Sequence, residues 1–79
     1  MLLSGDSKIE KHISKLKQAR IIRGYTQEEL SKLSNVNIKS IASYEQNPEK
    51  LSSASTSTVY RLADALGIEI EDILNKETL

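Results

Sequence analysis

Between Thr26 and Pro48 the residues that start, turn and stop helices lie so close together that the backbone has few options. Thr26 and Glu29 form a capping box, a hydroxyl followed three residues later by a carboxylate, and open a helix to about Leu33. That helix is predicted to bury Leu30 and Leu33. Ser34-Asn35-Val36 then makes a tight turn, because Asn is second only to Gly in accepting a positive φ. Asn37 is a good N-cap for a helix over Ile38–Gln46, with Ile41 and Tyr44 facing inward. Asn47-Pro48 ends it, an αL-type residue followed by one that cannot continue a helix. Two short helices joined by so brief a turn are unusual as plain core architecture. The unit lets its second helix stand proud of the domain, where it can enter a groove.

The flanks read as helix too. Ser7 and Glu10 form another capping box, and Ile9, Ile13, Leu16 and Ala19/Arg20 recur at steps of three and four as far as Gly24. Residues 48–57 are serine-rich, with Leu51 and Ala54 their only apolar groups, and read as a loop ending in an N-cap rather than as a phosphorylated linker. Ser55 or Ser57 starts a fourth helix, with Val59, Leu62, Ala63 and Leu66 as its buried stripe and Gly67 as its stop. A fifth helix is predicted over residues 70–76. Nothing reads as a strand or a repeat. The expectation is one compact all-α domain of five helices over residues 1–79, with residues 1–6 a flexible N-terminus.

Composition removes most alternatives. The chain has 79 residues, no Cys and a single His, His12, so disulfides, thiolate sites and histidine cages are not available, and no cofactor is called for. No apolar run approaches the roughly 20 residues of a membrane span, and residues 1–5 are too short for a signal peptide, so the location expected is the cytoplasm. Net charge is zero, which is awkward for a nucleic-acid binder, but its distribution is uneven. Residues 1–25 carry six basic and two acidic groups, and residues 51–79 carry two and five. A basic front and an acidic tail place like charge away from phosphates.

With these features in place, the chain resembles the phage Cro/repressor type of helix-turn-helix family, also called xenobiotic-response-element-like. The residues carrying the resemblance are Thr26-Gln27-Glu28-Glu29-Leu30, Val36, Ile41 and Tyr44-Glu45. Leu62-Ala63-Asp64-Ala65-Leu66-Gly67-Ile68 and Glu71-Asp72-Ile73-Leu74 match its last two helices. It spans about Leu16 to Leu74, and the ordered set is more specific than any one of its pieces. Ser31 stands for the usual Ala and Asn35 for the usual Gly, each keeping the property required, while Asn47 stands where Gly is common. The loop between Glu45 and Gly67 is longer than in the shorter members.

The resemblance implies a phage-repressor-like DNA-binding domain with its helix-turn-helix at about residues 27–46. It implies that Gln27 binds a backbone phosphate, which suits the free N–H groups and dipole of a helix N-terminus. The outer face of the third helix should reach base edges through Ile38, Lys39, Ala42 and Ser43: Lys39 to guanine O6/N7 or alternatively to a phosphate, Ile38 and Ala42 to thymine methyls. Ser40, Asn47 and Lys50 are further phosphate candidates. Arg20 and Glu45 are implied to form a partly buried ion pair, so Arg20 is read as structural. The implied role is a repressor on a two-fold operator, acting as a homodimer through Ile70, Ile73, Leu74 and Leu79.

Other residues carry plainer readings. Tyr25, Tyr44 and Tyr60 suit a core with wet hydroxyls better than base stacking, and the lack of Phe and Trp argues against a single-strand surface. Lys8, Lys11, Lys15 and Lys17 form a solvated face. Glu28 and Glu29 diverge on a helix, and Glu69, Glu71 and Asp72 lack the spacing of a calcium loop, so an enzyme is not expected. The alternative to an operator-reading regulator is a protein-interaction module, such as an antitoxin that neutralises a toxin-like partner and autoregulates its operon. The neutral net charge, acidic tail and apolar Ile38 motivate it.

Overall fold

The computed structural model describes residues 13–74, which form five α-helices and a closing 3₁₀ turn. These are α1 (Lys15–Arg23), α2 (Gln27–Ser34), α3 (Ile38–Gln46), α4 (Pro48–Ser52), α5 (Thr56–Leu66) and the turn Ile70–Asp72. There is no strand among the described residues.

Each of the four longer helices starts where a short polar side chain replaces a missing intrahelical partner. Ser14, Thr26, Asn37 and Ser55 accept from the amides of Lys17, Glu29, Lys39 and Thr58 respectively. The cap of α2 is reciprocal, because Glu29 Oε1 accepts from the Thr26 N–H at 2.8 Å. Left-handed residues stop three helices: Gly24 (φ 80°), Asn35 (φ 63°) and Gly67 (φ 71°).

Every helix gives the core at least one apolar side chain. Leu16, Leu30, Ile41, Leu51, Leu62, Leu66 and Ile73 are each no more than 1 % exposed, and Val36, Val59 and Ala63 complete the cluster. The long α5 is the support on which α1, α2 and the 3₁₀ turn rest, and α3 packs in turn on α1 and α2. Among the described residues no buried side-chain polar atom lacks a partner.

Several expectations need correction. The first helix does not run unbroken through Ser14, whose backbone is extended (φ −68°, ψ 156°) because it is itself the cap of α1. Leu33 is 56 % exposed. The inner stripe of α2 is Gln27, Leu30, Ser31 and Ser34, at i, i+3, i+4 and i+7, and Leu33 falls beside it. Asn47 is not left-handed (φ −128°, ψ 87°) and lies outside the α region, which steric conflict with a following proline disfavours. Pro48 begins α4 instead of only ending α3, since a proline at the first helical position gives up an N–H that had no partner there. Residues 70–72 form a 3₁₀ turn and not the start of an α-helix, with Ile73 as its C-cap. The expectations for residues 1–6, for Ser7 with Glu10, for residues 75–76 and for Leu79 lie outside the described residues.

Candidate nucleic-acid interface

The turn that aims α3 is closed by serine. Ser31 Oγ donates to the Val36 carbonyl at 2.6 Å, so its small polar side chain both permits the crossing and ties down the far end of the turn. Ser34, 4 % exposed, donates through Oγ to the Leu30 carbonyl and accepts from the Val36 amide at 3.2 Å. The direction of α3 is thus set by hydrogen bonds within α2 and the turn, and by Ile41 filling the angle behind them.

The two faces of α3 differ in kind. Ile41 and Glu45 are buried, and Tyr44 is half-buried against the core. On the opposite side Lys39, Ala42, Ser43 and Gln46 follow one another at i, i+3, i+4 and i+7, a single stripe along the helix. Lys39 and Gln46 are exposed, while Ala42 and Ser43 are half-buried. Ile38, 40 % exposed, stands at the margin of the stripe on the first turn. Sequence reasoning overlooked Gln46, whose seven-residue distance from Lys39 was the signal that could have found it. Ser40 is half-buried, and Asn47 and Lys50 are exposed just beyond the stripe's end.

Charge on this face is simple. Glu45 is the one acid of α3, and it points inward. Arg20 donates from Nε to Glu45 Oε2 at 2.7 Å and from Nη2 to Oε1 at 3.2 Å, and its Nη1 donates to the Tyr25 carbonyl at 2.8 Å. The two side chains are 12 % and 4 % exposed. Lys39 therefore carries the only charge on the outer stripe. The exposed Glu28–Lys32 pair, at 3.9 Å, contributes little beside this one.

Gln27 holds an unexpected position. As the first residue of α2 it lies at a helix N-terminus, yet its Nε2 donates to Glu45 Oε1 at 2.9 Å. The Glu45 carboxylate thus receives three hydrogen bonds, two from α1 and one from α2, and links three helices. Toward the end of the described residues, Ile73 is fully buried, and Ile70 and Leu74 are half-buried against the same core.

These features are those of a helix-turn-helix: a turn closed by serine hydrogen bonds, a second helix held on its inner face, and a polar outer face carrying one Lys. The family model of the helix-turn-helix domain matches residues 13–79, and the chain belongs to that family. Comparison with curated proteins and with solved structures gave no match. Family membership supports a DNA-binding regulator with DNA as its partner. Among the described residues no helix is long and apolar enough to cross a membrane.

Proposed function

We propose that this chain is a sequence-specific double-stranded DNA-binding transcription regulator of the Cro/repressor type, a repressor that binds a two-fold operator as a homodimer in the cytoplasm. The observation that carries the reading is the two-faced α3. Its inner side is fixed by Ile41 and by the Glu45 carboxylate, and its outer stripe presents Lys39, Ala42, Ser43 and Gln46 with no acid among them. A major groove admits one helix, and an ammonium, a hydroxyl, a carboxamide and a methyl are the groups that distinguish base edges there. Ile38 adds apolar contact suited to a thymine methyl. Gln27, Ser40, Asn47 and Lys50 are the residues proposed to set the stripe's register through phosphates.

One such domain covers few base pairs, so two copies on a symmetric site give the affinity that one lacks. Occupying a promoter is enough to block transcription without a further effector. The half-buried Ile70 and Leu74 at the C-terminal end, with Leu79 beyond them, are proposed as part of the contact between copies.

The test is selection from random duplexes by the purified protein at near-physiological salt. The expected product is a two-fold symmetric site with half-sites about 10 base pairs apart. A folded protein that enriches nothing would overturn the operator-reading role and favour an interaction module that needs a partner chain.

A further inference from the structure

We infer that Glu45 is a positioning residue for DNA binding: it holds the Gln27 carboxamide in the orientation in which Gln27 meets a phosphate, without touching DNA itself. The inference rests on the reading of Gln27 as a phosphate contact and adds what makes that contact effective.

A glutamine side chain has three rotatable bonds and two chemically different ends, and a solvated one samples many arrangements. Fixing it on binding costs a large part of its side-chain entropy. Here that ordering takes place on folding. Glu45 Oε1 accepts from Gln27 Nε2 at 2.9 Å, and the acceptor is itself held by Arg20 Nη2 at 3.2 Å and, through its other oxygen, by Arg20 Nε at 2.7 Å. An ionised carboxylate accepts only, so it selects the NH₂ end of the carboxamide and excludes the flipped arrangement.

A carboxamide nitrogen carries two hydrogens. With one directed at Glu45, the other remains as a donor on the first residue of α2, where the backbone amides of Gln27 and Glu28 have no intrahelical acceptor. These are groups suited to phosphate oxygen. The ion pair that ties α1 to α3 thus also sets a side chain of α2, and the phosphate anchor and the reading helix are kept in fixed relation by one carboxylate.

The test is a double-mutant cycle in DNA affinity together with a measurement on the free protein. Removing Glu45 alone strands Arg20 and endangers the fold, so the anchor is removed as a pair, Arg20→Met with Glu45→Leu. This pair is combined with Gln27 or with Gln27→Ala, and all four proteins are compared below their melting transitions on a half-site duplex. Gln27→Ala alone should weaken binding, and removing the pair should weaken it about five- to ten-fold when Gln27 is present, the scale of re-ordering one long side chain. With Gln27→Ala, removing the pair should change affinity little. In the free parent protein the Gln27 side-chain NH₂ should show an NMR order parameter near that of the rigid backbone, and a low one once the pair is removed.

Equal losses in both backgrounds would make the pair merely structural and overturn the proposal while leaving the DNA reading intact. No loss from Gln27→Ala would overturn the phosphate contact itself. A mobile Gln27 carboxamide in the parent protein would overturn the positioning role whatever the DNA result.

Discussion

Arg23 donates its Nε–H to the carbonyl oxygen of Leu66 at 2.8 Å, so the last residue of α1 satisfies the last residue of α5. The same guanidinium lies over Gly67, where an added Cβ would come within 2.6 Å of Nη2. The left-handed stop of α5 and the cation that seals it therefore occupy one place.

Replacing Gly67 with Ala should destabilise the domain chiefly through its backbone. The φ of 71° is unfavourable for a residue with a Cβ, at about 1–2 kcal/mol, while Arg23 Nη2, the far end of a flexible side chain, has only to shift aside. In thermal melts the Tm should fall by about 4–8 °C per kcal/mol for a domain of this size. Arg23→Ala should cost less, about 0.5–1.5 kcal/mol, because it removes the hydrogen bond without the backbone strain. An unchanged melting point in Gly67→Ala would show that the αL residue and its guanidinium cover contribute nothing.

Arg20→Met should be among the most damaging single changes, at about 3–5 kcal/mol, since it leaves a carboxylate that is 4 % exposed without its cation. Changing both members, Arg20→Met with Glu45→Leu, should recover part of that loss, because no buried charge is left unpaired, while the Tyr25 carbonyl and the Gln27 carboxamide still lose their partners. Urea unfolding of the two variants decides this. A double variant no more stable than the single one would mean that the pair contributes more than mutual neutralisation.

Asn35 holds φ 63° and ψ 33° at the turn before α3. Asn35→Gly should fold as well as the parent, whereas Asn35→Val should lose about 1–2 kcal/mol or more, because a β-branched residue is disfavoured there. The check is circular dichroism on heating, and equal stability of the Val and Gly variants would reject the argument.

Lys39→Ala should weaken binding to the selected duplex while leaving the melting temperature of the free protein within about 2–4 °C, since the side chain is exposed. If Lys39 reaches a phosphate, the salt dependence of log K should flatten by about one unit and all sequences should lose affinity alike. If it reads guanine, the loss should be confined to the duplex carrying that base. Fluorescence anisotropy across a salt series separates the two, and unchanged affinity and slope would remove Lys39 from the interface.

Much of this architecture was legible in the sequence because its signals are local. Thr26 with Glu29, Asn35, Asn37 and Gly67 each act on residues within a few positions, and the bounds of α3 follow from them. What escaped depends on which surfaces meet. Leu33 looks like a core residue until α2 is found to turn a stripe containing two serines inward. Pro48 reads as a stop, and only the burial of Leu51 at 1 % exposure shows that the next segment winds into a helix to seat it. The bonds from Arg23 to Leu66 and from Gln27 to Glu45 join residues 43 and 18 positions apart, and nothing in their neighbourhoods announces them. Gln46 is the last residue of α3, and only its seven-residue spacing from Lys39 ties it to the outer stripe.

The division of α3 into a locked side and an open side has an evolutionary consequence. The side chains that keep the helix in place and those proposed to meet a duplex share no position on α3, so changes at the exposed Lys39 and Gln46 are almost invisible to folding. On the proposed function, target preference can therefore shift through Lys39 and Gln46 at little cost to folding, while the buried Ile41 and Glu45 stay under constraint. Grafting the outer residues of another helix-turn-helix protein onto this scaffold follows the same logic.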